Sequence, residues 1–311
     1  MTVRAWAAMA LQVLIAGATF HVARHGLEVF EPIRFIHWRV QGVALLFVGL
    51  LVLLRRPLLP PAGSRLRLLV LGLLGGPCNQ ALFFSGLVHT TPTHAALIYA
   101  LTPATVLVWS WLARESRPSF GEAAALCLAF GGVAFLLAPS LASGRSPPVL
   151  EGDLLVVGGM LCWAAYSRGM RAWTEQLGAV PATAWAWVLA ALATACLWPW
   201  LGTGLMRTEA GPDHWVAFGY VLVLTSFVAY MLYGYGLQRL GPARTSIFLN
   251  GQPVVAMALG AATGQRDVGP SALLATLMVV SGVVFMQRQR GRSLPTAARA
   301  ASATPGSSSL A

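Results

Sequence analysis

Gly86-Leu87-Val88-His89-Thr90-Thr91-Pro92, followed by Pro103, returns 150 residues downstream as Gly236-Leu237-Gln238-Arg239-Leu240-Gly241-Pro242, followed by Pro253. The register continues to Gly132, Val133 and Phe135, which recur as Gly282, Val283 and Phe285. Composition alone does not produce two prolines at one spacing, repeated in step. The chain reads as a duplication, and an internal repeat fixes architecture before any local pattern does.

Apolar residues make up 57% of the chain, charged residues 10%, and mean hydropathy is +0.68; soluble domains average about 25% charged. A membrane helix needs roughly 20 apolar residues. Ten such stretches can be marked, at 5–21, 32–54, 66–88, 92–113, 118–138, 152–172, 181–201, 214–237, 243–264 and 269–287. The fold expected is therefore all-α and integral to the membrane, with ten transmembrane helices in two five-helix repeats, 1–138 and 152–287. The Pro, Ser and Gly stretch 139–151 reads as a linker loop on the outer side. The Arg, Ala, Ser and Pro tail, 288–311, reads as disordered, basic and cytoplasmic. Met1 to Ala18 has the look of a signal peptide, but its removal would leave nine helices and break the repeat.

All 21 basic residues are arginine. With the N-terminus inside, the cytoplasmic segments hold Arg4, Arg55, Arg56, Arg65, Arg67, Arg114, Arg117, Arg168, Arg171, Arg239, Arg244, Arg288, Arg290, Arg292 and Arg299. The other side keeps Arg24, Arg34, Arg145, Arg207 and Arg266. Fifteen against five puts both termini in the cytoplasm. The net charge of +11 then reports topology and a tail facing anionic lipid, not nucleic-acid binding. Five helices per repeat make the second copy enter from the opposite side, so the repeats are expected to be inverted, as suits alternating access around a midplane site.

The run Thr93-His94-Ala95-Ala96-Leu97-Ile98-Tyr99-Ala100-Leu101-Thr102-Pro103, the parallel Gly241-Pro242-Ala243-Arg244-Thr245-Ser246 through Gln252-Pro253-Val254-Val255-Ala256, and the closing Gly282-Val283-Val284-Phe285 resemble the EamA family of the drug/metabolite transporter superfamily. The resemblance covers residues 5–287. It implies an inverted-repeat carrier in a bacterial inner membrane, exporting amino acids or other small metabolites more often than importing them. It also implies an arginine at the place of Arg39 and an acidic residue after helices 4 and 9. Glu115 meets the second expectation in the first copy, whereas the second copy has Gln265 there, followed by Arg266-Asp267.

An ionisable group at membrane depth costs about 2.5–3.5 kcal/mol on insertion scales, so it tends to face a cavity. Arg39 is the clearest example. Either it snorkels or braces helices, or it offers a planar fork to a carboxylate or phosphate, with Glu28 and Glu31 as partners near the mouth. Asn250 and Gln252 precede Pro253, which frees a backbone carbonyl; their first-copy counterparts Ala100 and Thr102 precede Pro103. Pro103 and Pro253 are thus expected to break helices. Asn79, Gln80, Tyr99, Trp163, Tyr166 and Tyr230 complete the candidate substrate site, the alternative being polar glue or interface packing. Ser226, Tyr230 and Tyr233 fall on one face at i, i+4 and i+7.

Glu122 is the acidic residue assigned inside a helix and, with Glu28 and Glu31, is a candidate for coupling. His21, His25, His37, His89, His94 and His214 all map to the outer half, and His21 and His25 are spaced i, i+4. A metal or pH-sensing site at the outer mouth is therefore conceivable, but no Cys or carboxylate spacing completes a ligand set, so no metal and no cofactor are expected. The expected partners are a small-molecule substrate and the lipid bilayer, with a homodimer left open. A membrane enzyme lacks its motifs here, and a retinal protein lacks its lysine. A flippase for lipid or polyprenyl-linked cargo is the rival reading; it would open sideways to lipid.

Overall fold

The protein is described by a computed structural model covering residues 2–117, 119–142, 148–196, 209–240, 245, 248–265 and 269–293. The first half contributes α1 (Thr2–Gly26), α2 (Pro32–Leu53), α3 (Arg65–Leu73), α4 (Asn79–His89), α5 (Pro92–Ala100), α6 (Thr102–Leu112) and α7 (Phe120–Ala142). The second contributes α8 (Pro148–Leu177), α9 (Ala179–Ala195), α10 (Pro212–Gly219), α11 (Ala229–Leu240), α12 (Gln252–Ala262) and α13 (Pro270–Ser293). Among the described residues, eight helical spans are long and apolar enough to cross a membrane, while Ala179–Ala195 and Gln252–Ala262 are apolar but shorter. Arg145, Arg207, Pro242, Arg244, Arg266 and Arg299 lie outside the described residues.

Helix starts follow local chemistry. Glu31 accepts from the Arg34 amide at 2.9 Å ahead of Pro32, and Thr91 accepts from the His94 amide at 3.2 Å ahead of Pro92. Proline at the first helical position loses nothing, because that donor has no intrahelical partner. The same rule corrects the expected linker. Helix α7 continues to Ala142 and α8 starts at Pro148, so of 139–151 only 143–147 is not described as helix. The expected disordered tail is likewise shortened, since α13 runs through Arg288 to Ser293; Arg and Gln are good helix formers. Residues 294–311 lie outside the described set.

Two spans are interrupted. Between α3 and α4 the chain passes through a π-helical segment, Leu74–Cys78, with Gly76 at non-helical torsions and Pro77 inside. Between α10 and α11 it passes through a second, Tyr220–Val228. At the 150-residue offset the two coincide over 224–228. The α5–α6 joint at Leu101 precedes Pro103, and a turn at Asn250-Gly251 precedes Pro253 at the start of α12.

Packing follows the duplication. Helix α4 lies against α8, and α11, its counterpart, against α1. Helix α2 packs on α9, and α7 on α13. The contacts are close because small residues let backbones approach. A Cβ on Gly86 would sit 2.6 Å from the Gly152 carbonyl, and one on Gly152 2.7 Å from the Gly86 carbonyl. The repeated Gly132 and Gly282 do the same between α7 and α13, facing the carbonyls of Ala275 and Ala125 at 3.0 and 2.8 Å. Phe35, Phe47, Phe84, Leu97 and Ile98 are fully buried in one continuous core.

Candidate substrate site

Arg39 of α2 is buried, 7% exposed. Its Nε donates to Ser226 Oγ at 2.8 Å, and the guanidinium carbon lies 5.2 Å from the centroid of Phe84 on α4. Ser226, fully buried in the second π segment, donates in turn to the Val221 carbonyl five residues back, at 2.7 Å. A π turn shifts the backbone register, and the serine hydroxyl satisfies that carbonyl while presenting a lone pair to arginine. Tyr230 and Tyr99 lie within electrostatic reach of the guanidinium. Its two terminal nitrogens make no hydrogen bond to any described residue, and among the described residues no carboxylate pairs with it.

The walls come from both halves. Asn79 Nδ2 donates to the Tyr99 hydroxyl at 2.6 Å and to the Gly159 carbonyl at 2.7 Å, tying α4 and α5 to α8. Tyr99 packs edge-on against Phe83 (5.0 Å between centroids) and Phe20 (6.4 Å). Trp163 lies 5.1 Å from Tyr166 and meets Tyr230 edge-on at 6.2 Å. Gln80 is buried with its side-chain oxygen unpartnered. Arg39, Phe84, Phe83, Tyr99 and Asn79 thus form one contact chain, and Tyr230, within electrostatic reach of Arg39, brings Trp163 and Tyr166 to it, giving a polar-aromatic group that is buried or half-buried throughout.

Other candidates sit elsewhere. Asn250 Nδ2 donates to Gln287 Oε1 of α13 at 3.1 Å, a contact between the α12 joint and the last helix. Gln252 is half-buried and makes no side-chain hydrogen bond to a described residue. Tyr233, three residues after Tyr230 in α11 and within its electrostatic reach, packs against the small cluster of Ala5, Met9 and Leu240. Glu28 and Glu31 do not reach Arg39: Glu31 caps α2, and Glu28 meets His25 at 3.2 Å. Glu122 closes a capping box, accepting from the Ser119 amide and hydroxyl at 3.1 and 3.0 Å while Ser119 Oγ accepts from its amide. That is what an acidic residue in a first turn does best.

Three arrangements were not anticipated. Asp153 is completely buried at the start of α8, where its carboxylate accepts from Thr90 Oγ1 and from His94 Nδ1, the latter at 3.0 and 3.2 Å. The span 152–172 already contained it, so Glu122 was not the only acidic residue within a span. His21 does not join His25 despite their spacing. Its Nε2 donates to the Ala256 carbonyl at 2.7 Å and its Nδ1 takes Gln265 Nε2 at 3.2 Å, which gives the departing Gln265 a partner. Glu115 pairs with Arg168.

A groove of about 410 Å³ between α12 and α13 is lined by Val254, Met257, Ala258, Ala261, Pro270 and Leu273. It is apolar and shares no residue with the Arg39 group.

The family model described as the EamA-like transporter family matches residues 4–138 and again 150–288. An uncharacterized transporter of Bacillus subtilis (strain 168), YyaM, is 24% identical over 281 residues, covering 87% of this chain and 91% of its own. An uncharacterized inner membrane transporter of Escherichia coli (strain K12), YedA, is 24% identical over 88% of this chain and 87% of its own. A solved crystal structure superposes with a TM-score of 0.64 at 17% identity, over 91% of this chain and 96% of that one, which shows a shared fold.

Proposed function

This chain belongs to the EamA-like transporter family, and we propose that it is a secondary carrier of a small carboxylate-bearing metabolite, an amino acid or related compound. It is a multi-pass membrane protein. Ten crossings in two inverted repeats, a bacterial inner membrane, cytoplasmic termini and outward movement are the finer parts of the proposal. The exchanged pairing of α4 with α8 and α11 with α1 supports the inverted repeat, as do the matched π segments. The arginine bias supports the orientation.

The observation that carries the reading is the contact between Arg39 in the first repeat and Ser226 in the second. A buried cation without a counter-ion costs several kcal/mol, and a carboxylate delivered by the cargo supplies one. Gln80 offers its unpartnered side-chain oxygen to the cargo's remaining polar atoms, and Asn79, its nitrogen held by Tyr99 and Gly159, keeps its side-chain oxygen for them. Tyr99, Trp163 and Tyr230 enclose its apolar or cationic part. A group drawn from both repeats is where rocking of one half against the other would alternately open and close access. The flippase reading needs a lateral opening beside polar groups, whereas the α12–α13 groove is apolar and separate.

The test compares metabolites inside and outside cells carrying wild type or Arg39→Ala at equal expression. A carboxylate compound should rise outside with wild type and stay at the empty-vector level with Arg39→Ala. Equal export by the two would overturn the site; a change confined to envelope lipids would favour the flippase.

A further inference from the structure

At the end of the bundle where α1 stops and α10 begins, four side chains converge. His25 stands in the last turn of α1 and Glu28 in the turn after it; Asp213 and His214 stand in the first turn of α10. His25 Nε2 lies 2.8 Å from Asp213 Oδ2, and His25 Nδ1 lies 3.2 Å from Glu28 Oε2. The rings of His25 and His214 stack at 4.5 Å between centroids, 23° apart. His214 Nδ1 is buried without a hydrogen-bond partner, although Asp213 Oδ1 is 3.2 Å away. One ligand atom each from His25, Glu28 and His214 can be chosen so that all lie within 4.8 Å of one another.

We propose that His25, Glu28 and His214 bind a divalent transition-metal cation of the Zn²⁺ type, with Asp213 orienting His25. A neutral imidazole has one N–H and donates to only one of two flanking carboxylates, so the other must be met by a second ring proton or by a metal ion. When Nε2–H donates to Asp213, the Nδ1 lone pair faces Glu28, acceptor against acceptor, and a metal between them resolves the conflict. A ligand histidine whose other nitrogen is held by a carboxylate is the usual arrangement around zinc. Imidazole and carboxylate together suit Zn²⁺ more than Ca²⁺ or Mg²⁺, which prefer all-oxygen shells. Bond lengths near 2.0–2.2 Å place tetrahedral ligands about 3.4 Å apart. Closing from 4.8 Å needs the His25 ring to turn out of its stack on His214 so that their lone pairs converge, and His25 and Glu28, 43% and 61% exposed, have room to turn and are open to a hydrated ion. The nearby Arg24 is directed to the Leu87 and Thr90 carbonyls on α4.

The sequence does not reveal this grouping because His25 and Glu28 are far in the chain from Asp213 and His214. Helix α1 belongs to the first repeat and α10 to the second, so the ion would staple the repeats together at one mouth. On the transporter reading above, an occupied site holds that mouth shut.

The experiment measures Zn²⁺ binding by equilibrium dialysis and elemental analysis on purified full-length protein carrying no histidine tag. Wild type should bind one equivalent at micromolar Zn²⁺. His25→Ala, Glu28→Gln and His214→Ala should each weaken binding at least tenfold while eluting as wild type in gel filtration. His89→Ala, an exposed histidine elsewhere, should bind as wild type. No stoichiometric binding by wild type overturns the site, as does retention by the ligand variants or equal loss in His89→Ala. None of these readings depends on transport. If the site holds, micromolar Zn²⁺ should also slow transport by wild type and leave His214→Ala unaffected, an arm that speaks to the mouth-closing role alone.

Discussion

His94 and Asp153 form a buried pair across the duplication, with Nδ1 3.0 Å from Oδ2; the histidine is in the first repeat and the aspartate in the second. Thr90 donates to the same carboxylate and Arg24 donates to the Thr90 carbonyl, so the corner between α4 and α5 is fastened to α8 and α1.

Removing the acceptor leaves that corner unsatisfied. Asp153→Ala should lower the stability of the purified protein by about 2 kcal/mol, seen as a reduced melting temperature in detergent. Asp153→Asn, which still accepts from Thr90, should lose less. A melting temperature for Asp153→Ala equal to wild type would show that the pair contributes nothing to the fold.

Arg39 and Ser226 should separate charge from geometry. Arg39→Lys keeps the cation but loses the planar fork and Nε donor, so transport should fall more than tenfold at unchanged expression. Ser226→Ala removes one hydrogen bond to arginine and one to the Val221 carbonyl, with a smaller loss expected. Wild-type rates in Arg39→Lys would mean that only the charge matters.

Adjacent glycines in α7 offer a sharp comparison. A Cβ on Gly131 meets only Met278 Cε at 3.7 Å, whereas one on Gly132 meets Met278 Cβ at 2.9 Å and the Ala275 carbonyl at 3.0 Å. Gly132→Ala should cost about 1–3 kcal/mol through overpacking and lower the yield of monodisperse protein, while Gly131→Ala should behave as wild type. Equal yields would rule out the α7–α13 approach described above.

Glu122 should prove to be a helix cap. Glu122→Gln preserves a capping box and should leave transport and its dependence on a proton gradient unchanged. Glu122→Ala should cost about 1 kcal/mol of stability. Loss of gradient dependence in Glu122→Gln would return the residue to the coupling role.

The residues that the sequence exposed and those it concealed differ for physical reasons. Arg39 stood out because a guanidinium in an apolar span is costly wherever it points. Its partner could not be chosen from the pattern, since Tyr220–Val228 is wound as a π-helix and the α-helical i, i+4 step from Ser226 to Tyr230 does not hold across its end. Asp153 escaped notice because it sits at the edge of its span, where acidic residues are usually solvated; here Gly86 and Gly152 bring α4 and α8 close enough to bury it. The i, i+4 spacing of His21 and His25 misled because α12 draws one ring and α10 the other.

The wide turns of the two repeats stand in register, yet Gly75-Gly76-Pro77 in one is Thr225-Ser226-Phe227 in the other. Of the five matched positions only Leu74 and Leu224 carry the same residue, so the wide turn does not depend on one local sequence. In the second copy a serine hydroxyl meets the carbonyl that the wide turn frees, and it places an arginine-binding oxygen where the first copy has only a glycine hydrogen.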